Sequence, residues 1–171
     1  MDMIFLAYPA ATIVCILAHL AFTRRERTAE YVWGVMLVYA IFFNVGLTGL
    51  MGFAAHAFRP AETAAFIGWQ PGSPFQFEVA CSNLAFGILG ILCVTVKGTF
   101  RLATILGYSI FLVGAAYGHI QQMRELGNYT PGNAGGPLYA DLFTPLVLLI
   151  LWAVHFVTKR RVLAGSSFPT V

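Results

Sequence analysis

Five long apolar stretches restrict most strongly how this chain folds. They cover residues 4–22, 31–58, 76–96, 100–123 and 138–157. The hydrocarbon core of a bilayer is about 30 Å thick, and an α-helix needs about 20 apolar residues to cross it. Only 10% of the 171 residues are charged, whereas charged residues make up about a quarter of a soluble domain. The chain is therefore predicted to be an all-α membrane protein, a bundle of about five transmembrane helices.

The distribution of basic residues predicts how this bundle is oriented. Lysine and arginine in short loops are retained on the cytoplasmic side of a membrane. In a five-helix topology, only Arg59 and Arg124 fall on one side, and the other eight basic residues share the opposite side. These eight are Arg24, Arg25, Arg27, Lys97, Arg101, Lys159, Arg160 and Arg161. We expect the N-terminus outside and the C-terminus in the cytoplasm.

A single bundle domain is predicted over residues 1–163, followed by a flexible cytoplasmic tail over residues 164–171, which contains Gly, Ser and Pro. The basic residues lie between apolar runs and do not form one polar face, which argues against a nucleic-acid partner. The lipid bilayer is the predicted partner. A homo-oligomer is also compatible with the sequence.

The two connections on the predicted outer side are the longer ones. The first is expected to contain a short helix over 61–67, because Pro60 suits a helix start and Gly68 a helix end. The second, residues 127–137, is rich in turn residues and is predicted to be a loop. At the start of the third span, Ser73 is the predicted N-cap and Gln76 its capping-box partner.

Four titratable side chains are predicted to share one layer near the outer surface. Glu78 and Asp141 each follow a helix-starting proline by four residues, and His56 and His119 end the two outward-running helices. An ionisable group inside a membrane costs at least about 2.5–3.5 kcal/mol, so it needs a partner or a wet cavity. A stripe of polar and small residues runs inward from His56 at four-residue spacing: Asn44, Thr48 and Gly52.

This layer supports several hypotheses. The leading one is a site for a small ligand or a divalent metal ion, with His56, Glu78, His119 and Asp141 as ligands and Asn83 and Asn133 as polar support. A second is a proton-coupled small-solute transporter in which Glu78 or Asp141 titrates. A third is a haem protein with His56 and His119 as axial ligands. A fourth is a structural or assembly subunit, whose acidic groups only complement helix dipoles.

The sequence does not decide whether the protein is an enzyme. It lacks a phosphate-binding glycine loop ending in Gly-Lys-Ser/Thr, a Gly-x-Ser-x-Gly elbow and a His-Glu-x-x-His helix. These absences argue against an ATPase, a serine hydrolase of that type and a zincin.

The segment Gly-Trp-Gln-Pro-Gly-Ser-Pro-Phe-Gln-Phe-Glu at 68–78 is followed by Asn83, Gly118-His119, Pro-Gly-Asn-Ala-Gly at 131–135 and Asp141. Together these residues resemble an uncharacterised family of small bacterial inner-membrane proteins, and they are loosely similar to the DoxX-like group. The resemblance implies a multi-pass protein of the bacterial inner membrane. It implies no reaction.

Overall fold

The computed structural model describes residues 2–165, and this part of the chain is helical with no β-strand. A π-helical turn, Phe42–Leu47, joins the second and third α-helices into one continuous helix. The α-helices are α1 Asp2–Phe22, α2 Ala29–Ile41, α3 Thr48–Phe58, α4 Pro60–Ile67, α5 Phe75–Leu92, α6 Thr99–Leu126, α7 Pro131–Ala134 and α8 Gly136–Gly165.

In the part of the chain that the structure describes, four helical segments are long and apolar enough to cross a membrane: Ala29–Phe58, Phe75–Leu92, Thr99–Leu126 and Pro131–Ala164. Many of their large apolar side chains are exposed, among them Ile110, which is 75% exposed. Lipid tails solvate such surfaces, and a helix satisfies its own backbone hydrogen bonds there. These helices confirm the prediction of an all-α membrane protein.

A close contact between helix backbones joins the π turn and α3 to α5. A Cβ atom added to Gly49 would lie 2.7 Å from the main-chain nitrogen of Gly87, and one added to Gly90 would lie 2.5 Å from the nitrogen of Gly46. Real side chains do not fit at these distances, so glycine is required for the two backbones to touch. Small residues commonly allow such close approach between membrane helices.

A buried apolar cluster holds α2, α6 and α8 together. Its fully buried members include Leu37, Ile41, Ile105 and Leu148. The Tyr108 ring packs against the same cluster and meets the Phe86 ring of α5 at a centroid distance of 5.3 Å. Through these contacts α8 is held beside α6, which brings the first turns of α8 close to the end of α6.

Several predicted local features differ in the structure. The capping box at Ser73 was wrong: α5 begins at Phe75 with no side-chain cap. The Gln76 side chain is 3% exposed and donates instead to the Pro60 carbonyl at 2.8 Å, because a buried amide needs a partner within reach. The loop at 127–137 contains the single turn α7. Apart from Ala164 and Gly165, which continue α8, the predicted tail lies outside the described residues.

Candidate functional site

His119, near the end of α6, is held by Asn133 of α7. The His119 Nδ1 atom lies 2.7 Å from Asn133 Oδ1. The Asn133 amide nitrogen donates to the carbonyls of His119 and Asn128, at 3.1 and 2.8 Å, and the residue is completely buried. Because both amide hydrogens go to carbonyls, Asn133 Oδ1 can only accept, and His119 Nδ1 must carry the donated hydrogen.

The other nitrogen of His119 faces a carboxyl group of α8. His119 Nε2 lies 3.6 Å from Asp141 Oδ2, and the two side chains are only 11% and 13% exposed. A neutral imidazole with its hydrogen on Nδ1 presents a lone pair at Nε2. Two acceptors that face each other in a poorly solvated place need a hydrogen between them. Either a proton or a donor from a bound molecule can supply it.

This pair opens onto a large cavity, which we call the main cavity. Its volume is about 1480 Å³, and its wall is mostly apolar, with side chains such as Leu6, Phe66 and Ile110. A typical small-molecule site occupies about 300–1,000 Å³ and combines apolar walls with a few polar groups. The polar lining residues include Asn44, Thr48, His56, Asn83, His119 and Asp141.

The predicted stripe of polar and small residues on α3 and the π turn forms one wall of the main cavity. Asn44, Thr48, Gly52 and His56 all line it. The Asn44 amide donates to Thr12 Oγ1 of α1 at 3.0 Å, which fixes the deep end of the stripe. The cavity therefore reaches from the ends of α3 and α6 well into the bundle.

His56 and Asn83 add polar groups from α3 and α5 to the cavity wall. The His56 ring lies beside Trp69, with centroids 5.9 Å apart. Asn83 donates to the Val79 carbonyl at 2.9 Å. A Cβ atom on Gly52 would lie 2.6 Å from Asn83 Oδ1, so the glycine makes room for this amide. Haem ligation by His56 and His119 stays a prediction.

Four of the six residues predicted for the site line the main cavity: His56, Asn83, His119 and Asp141. Asn133 does not line it, but holds His119 from behind. Glu78 is exposed and lies away from it. On α5 the cavity face is formed by Val79 and Asn83, which are four residues apart. Successive residues of an α-helix are rotated by about 100°, so Glu78, which precedes Val79, points away from that face.

Two residues that the sequence reasoning missed are Gln76 and Trp69. Gln76 ties α5 to the α3–α4 junction and reaches within 3.5 Å of His56 Nδ1. Trp69 lines the cavity, and its indole nitrogen is buried with no hydrogen-bond partner in the described part of the chain. Both lie in the 68–78 segment that carries the family resemblance, which is the one signal that could have singled them out.

A family model described as "Family of unknown function (DUF6790)" matches residues 2–161. The chain belongs to the DUF6790 family. This match includes every residue of the site and confirms the predicted resemblance to an uncharacterised family. No curated protein and no solved structure matches the DUF6790 chain. The similarity to the DoxX-like group and a bacterial origin stay predictions.

The DUF6790 chain does not assemble the predicted four-residue metal centre. Within residues 2–165, no three His, Cys, Asp or Glu side chains are placed to hold one metal ion. Zinc and calcium need donors within about 2.0–2.6 Å of the ion. Glu78 lies outside the cavity, and His119 Nδ1 is already bound to Asn133. In this DUF6790 protein, His119 and Asp141 instead form a pair of hydrogen-bond acceptors that face each other.

Proposed function

We propose that this protein binds a small amphipathic molecule in the main cavity, with a hydroxyl or ammonium head at His119 and Asp141 and an apolar body against the cavity wall. The observation that carries the proposal is the 3.6 Å approach of His119 Nε2 and Asp141 Oδ2 at the edge of this cavity. An ammonium group has three N–H donors and can donate to both acceptors at once, whereas a hydroxyl donates its single hydrogen to one of the two.

Two further polar side chains of the cavity, those of Asn83 and Trp69, suit such a head. Because the Asn83 amide nitrogen already donates to Val79, its Oδ1 atom remains as an acceptor. The buried indole nitrogen of Trp69 is a donor, and it suits the oxygen of a hydroxyl head, which both donates and accepts. The apolar wall would take up a hydrocarbon or ring system of the ligand.

We further propose that the chain crosses the bacterial inner membrane five times, with its N-terminus outside and its C-terminus in the cytoplasm. This proposal is supported by the 21-residue helix α1 and by the unequal division of the basic residues. In this orientation the main cavity opens in the outer half of the bilayer. The ligand would then enter from the lipid or from the outer surface.

Quenching of Trp69 fluorescence by brominated amphiphiles tests the proposed binding. Trp69 lines the cavity, and the other two tryptophans, Trp33 and Trp152, can be replaced by Phe to isolate its signal. The probes are a brominated long-chain amine, the matching alcohol and the matching methyl ester, which has no donor. We expect saturable quenching by the amine and the alcohol. Their half-saturating concentrations should be at least about 10-fold lower than that of the ester.

The ester is the matched control, because it enters the detergent micelle or bilayer like the other two probes but offers no hydrogen to the pair. Equal quenching by all three probes would show that Trp69 only reports on bulk lipid. That result would contradict the proposed site.

A second candidate function is proton-coupled transport of such a molecule with Asp141 as the titrating group. The observation that favours it is the extension of the cavity lining to Asn44 and Thr48, deep in the bundle. Glu78, the other predicted titrating group, is exposed outside the cavity, so this hypothesis now rests on Asp141.

Proteoliposomes loaded with a pH-sensitive dye test the transport hypothesis. A transporter is expected to move protons when the amine is added, and the Asp141→Asn variant should lose this movement. A protein that only binds the amine should show no such difference.

A further inference from the structure

A second pocket lies at the opposite end of the helices, where α1 ends, α2 begins, α5 meets α6 and α8 approaches its end. We call it the basic pocket. Its volume is about 830 Å³, and four cationic side chains face one carboxylate in its lining. The titratable and charged residues that line it are His19, Arg25, Glu30, Tyr31, Tyr39, Lys97, Arg101, His155 and Lys159.

Arg101 forms the buried part of this pocket. The residue is 7% exposed, and its Nε atom donates to the Cys93 carbonyl at 2.8 Å at the end of α5. A second guanidinium nitrogen lies 3.5 Å from the Val94 carbonyl. These neutral carbonyls satisfy part of the five N–H donors but do not balance the charge. Within residues 2–165, no carboxylate forms an ion pair with Arg101.

His155 of α8 lies in the same pocket with an unsatisfied nitrogen. Its Nδ1 atom is buried and has no hydrogen-bond partner among the described residues. His19 differs, because its two ring nitrogens meet the hydroxyls of Tyr39 and Tyr31, at 3.1 and 2.8 Å. The His155 ring also has a hydrogen bond to the Glu30 backbone, so the unmet hydrogen-bonding capacity lies at the Arg101 guanidinium and at the Nδ1 atom of His155.

The mouth of the pocket is formed by three exposed cations, Arg25, Lys97 and Lys159. They come from three separate parts of the chain, and only the tertiary structure brings them to one opening. A group with several negatively charged oxygens can accept from guanidinium, imidazole and ammonium donors together. Basic pockets between membrane helices bind phospholipid head groups by this chemistry.

We propose that the basic pocket binds a phosphate-bearing anion, with Arg101 and His155 contacting the phosphate inside and Arg25, Lys97 and Lys159 attracting it at the mouth. The phosphate belongs either to the head group of an anionic phospholipid or to a small soluble phosphate compound. This site is separate from the main cavity, so the proposal does not depend on the function proposed there.

Thermal unfolding of the full-length protein in detergent tests the proposal. Inorganic phosphate is compared with chloride at equal ionic strength, and phosphatidylglycerol is compared with phosphatidylcholine. We expect phosphate, phosphatidylglycerol or both to raise the unfolding temperature in a saturable manner, since a ligand of the folded state stabilises it. Protection by inorganic phosphate indicates a soluble ligand, and protection by phosphatidylglycerol alone indicates a lipid head group.

The double variant Lys97→Gln with Lys159→Gln is the decisive one, because both side chains are exposed and their loss leaves the fold intact. We expect it to weaken binding of the protecting anion at least about 10-fold, since two of the three positive charges that attract the anion at the mouth are lost. Arg160→Gln with Arg161→Gln is the matched control. It removes two exposed charges from the same end, and neither residue lines the pocket.

Arg101→Gln is a further variant and should abolish protection. It also removes the guanidinium that caps α5, so its unfolding temperature without anion is measured alongside. The proposal is overturned if neither anion protects better than its control, or if the lysine pair and the arginine pair lose affinity equally. Equal loss would indicate a diffuse electrostatic effect.

Discussion

The main cavity and the basic pocket differ in how their polar side chains are satisfied. At the cavity end, His119 and Asp141 are about one-tenth exposed, and a buried asparagine holds His119. At the basic end, most of the cations are exposed, and the buried Arg101 meets only carbonyl groups. Polar groups at the first end are buried and oriented by contacts within the protein, whereas most of those at the second end are exposed and available to an outside anion.

This difference has a consequence that can be measured. A buried polar group that loses its partner destabilises the protein by about 1–3 kcal/mol, whereas an exposed charge contributes little to stability. Substitutions around the main cavity should therefore change the free energy of unfolding. Substitutions at the mouth of the basic pocket should change anion binding alone.

The largest effect is expected for Gly49→Val at the contact between α3 and α5. The new side chain would clash with the Gly87 backbone. The two helices would have to separate, which would move Asn83 away from the cavity wall. We expect a loss of about 3 kcal/mol in the free energy of unfolding, at the upper end for an overpacked site. Thermal or denaturant unfolding in detergent measures it.

Gly114→Ala is the matched control for this variant, because an added Cβ atom at Gly114 meets nothing within 4 Å. Alanine also favours a helix over glycine, so its stability should stay equal or rise slightly. If Gly49→Val is no less stable than Gly114→Ala, the close helix contact does not exist as described.

Asn133→Leu should produce the next largest effect. The substitution leaves His119 Nδ1 and the Asn128 carbonyl without their buried partner. We expect the free energy of unfolding to fall by about 2 kcal/mol. Tyr129→Leu, in the same connection but 70% exposed, should change it by less than about 0.5 kcal/mol. If the two variants lose similar amounts of unfolding free energy, the hydrogen bonds of Asn133 do not stabilise the protein as described.

Asp141→Asn should weaken binding of the brominated amine in the Trp69 quenching assay. The variant keeps the size of the side chain but removes the carboxylate that faces His119 Nε2. We expect the half-saturation concentration to rise about 10-fold, with a smaller change for the alcohol, because a charged acceptor favours an ammonium donor. Unchanged amine binding in a folded Asp141→Asn protein would exclude this carboxylate as the recognition group.

The smallest effect is expected for Glu78→Gln. This carboxylate lies on the exposed side of α5, outside both pockets. Amine quenching, anion protection and the unfolding temperature should each stay close to those of the unchanged protein, within about 0.5 kcal/mol. A binding loss as large as that of Asp141→Asn would place Glu78 back in the site and would require a different arrangement of α5.

The fold was largely predictable from the sequence because the period and length of an apolar helix are local properties. The stretch predicted over 31–58 is found as the helix Ala29–Phe58, and the short helix predicted over 61–67 is found as Pro60–Ile67. Local rules were less reliable where a side chain had a distant alternative. Gln76 does not form the predicted capping box, because its side chain donates to the carbonyl of Pro60, sixteen residues earlier in the chain.

The depth of the candidate site could be predicted in the same way, since each residue's distance from a helix end follows from the rise per residue. Depth alone placed Glu78 with His56, His119 and Asp141. Rotation about the helix axis is what separates them: Asn83 turns toward Gly52 and the cavity, while Glu78 turns outward. That rotation is fixed by glycine contacts between helices that are distant in sequence.

By itself, the sequence determined that the chain is helical, apolar enough for a membrane, and supplied with a few polar groups near the helix ends. Only the tertiary structure decided that Asn133 orients His119 toward Asp141, and that Arg101 and His155 share a pocket with cations from three separate parts of the chain. The physical reason is that hydrophobic length acts along one helix, whereas hydrogen bonds and charge pairing depend on which helix faces lie against each other.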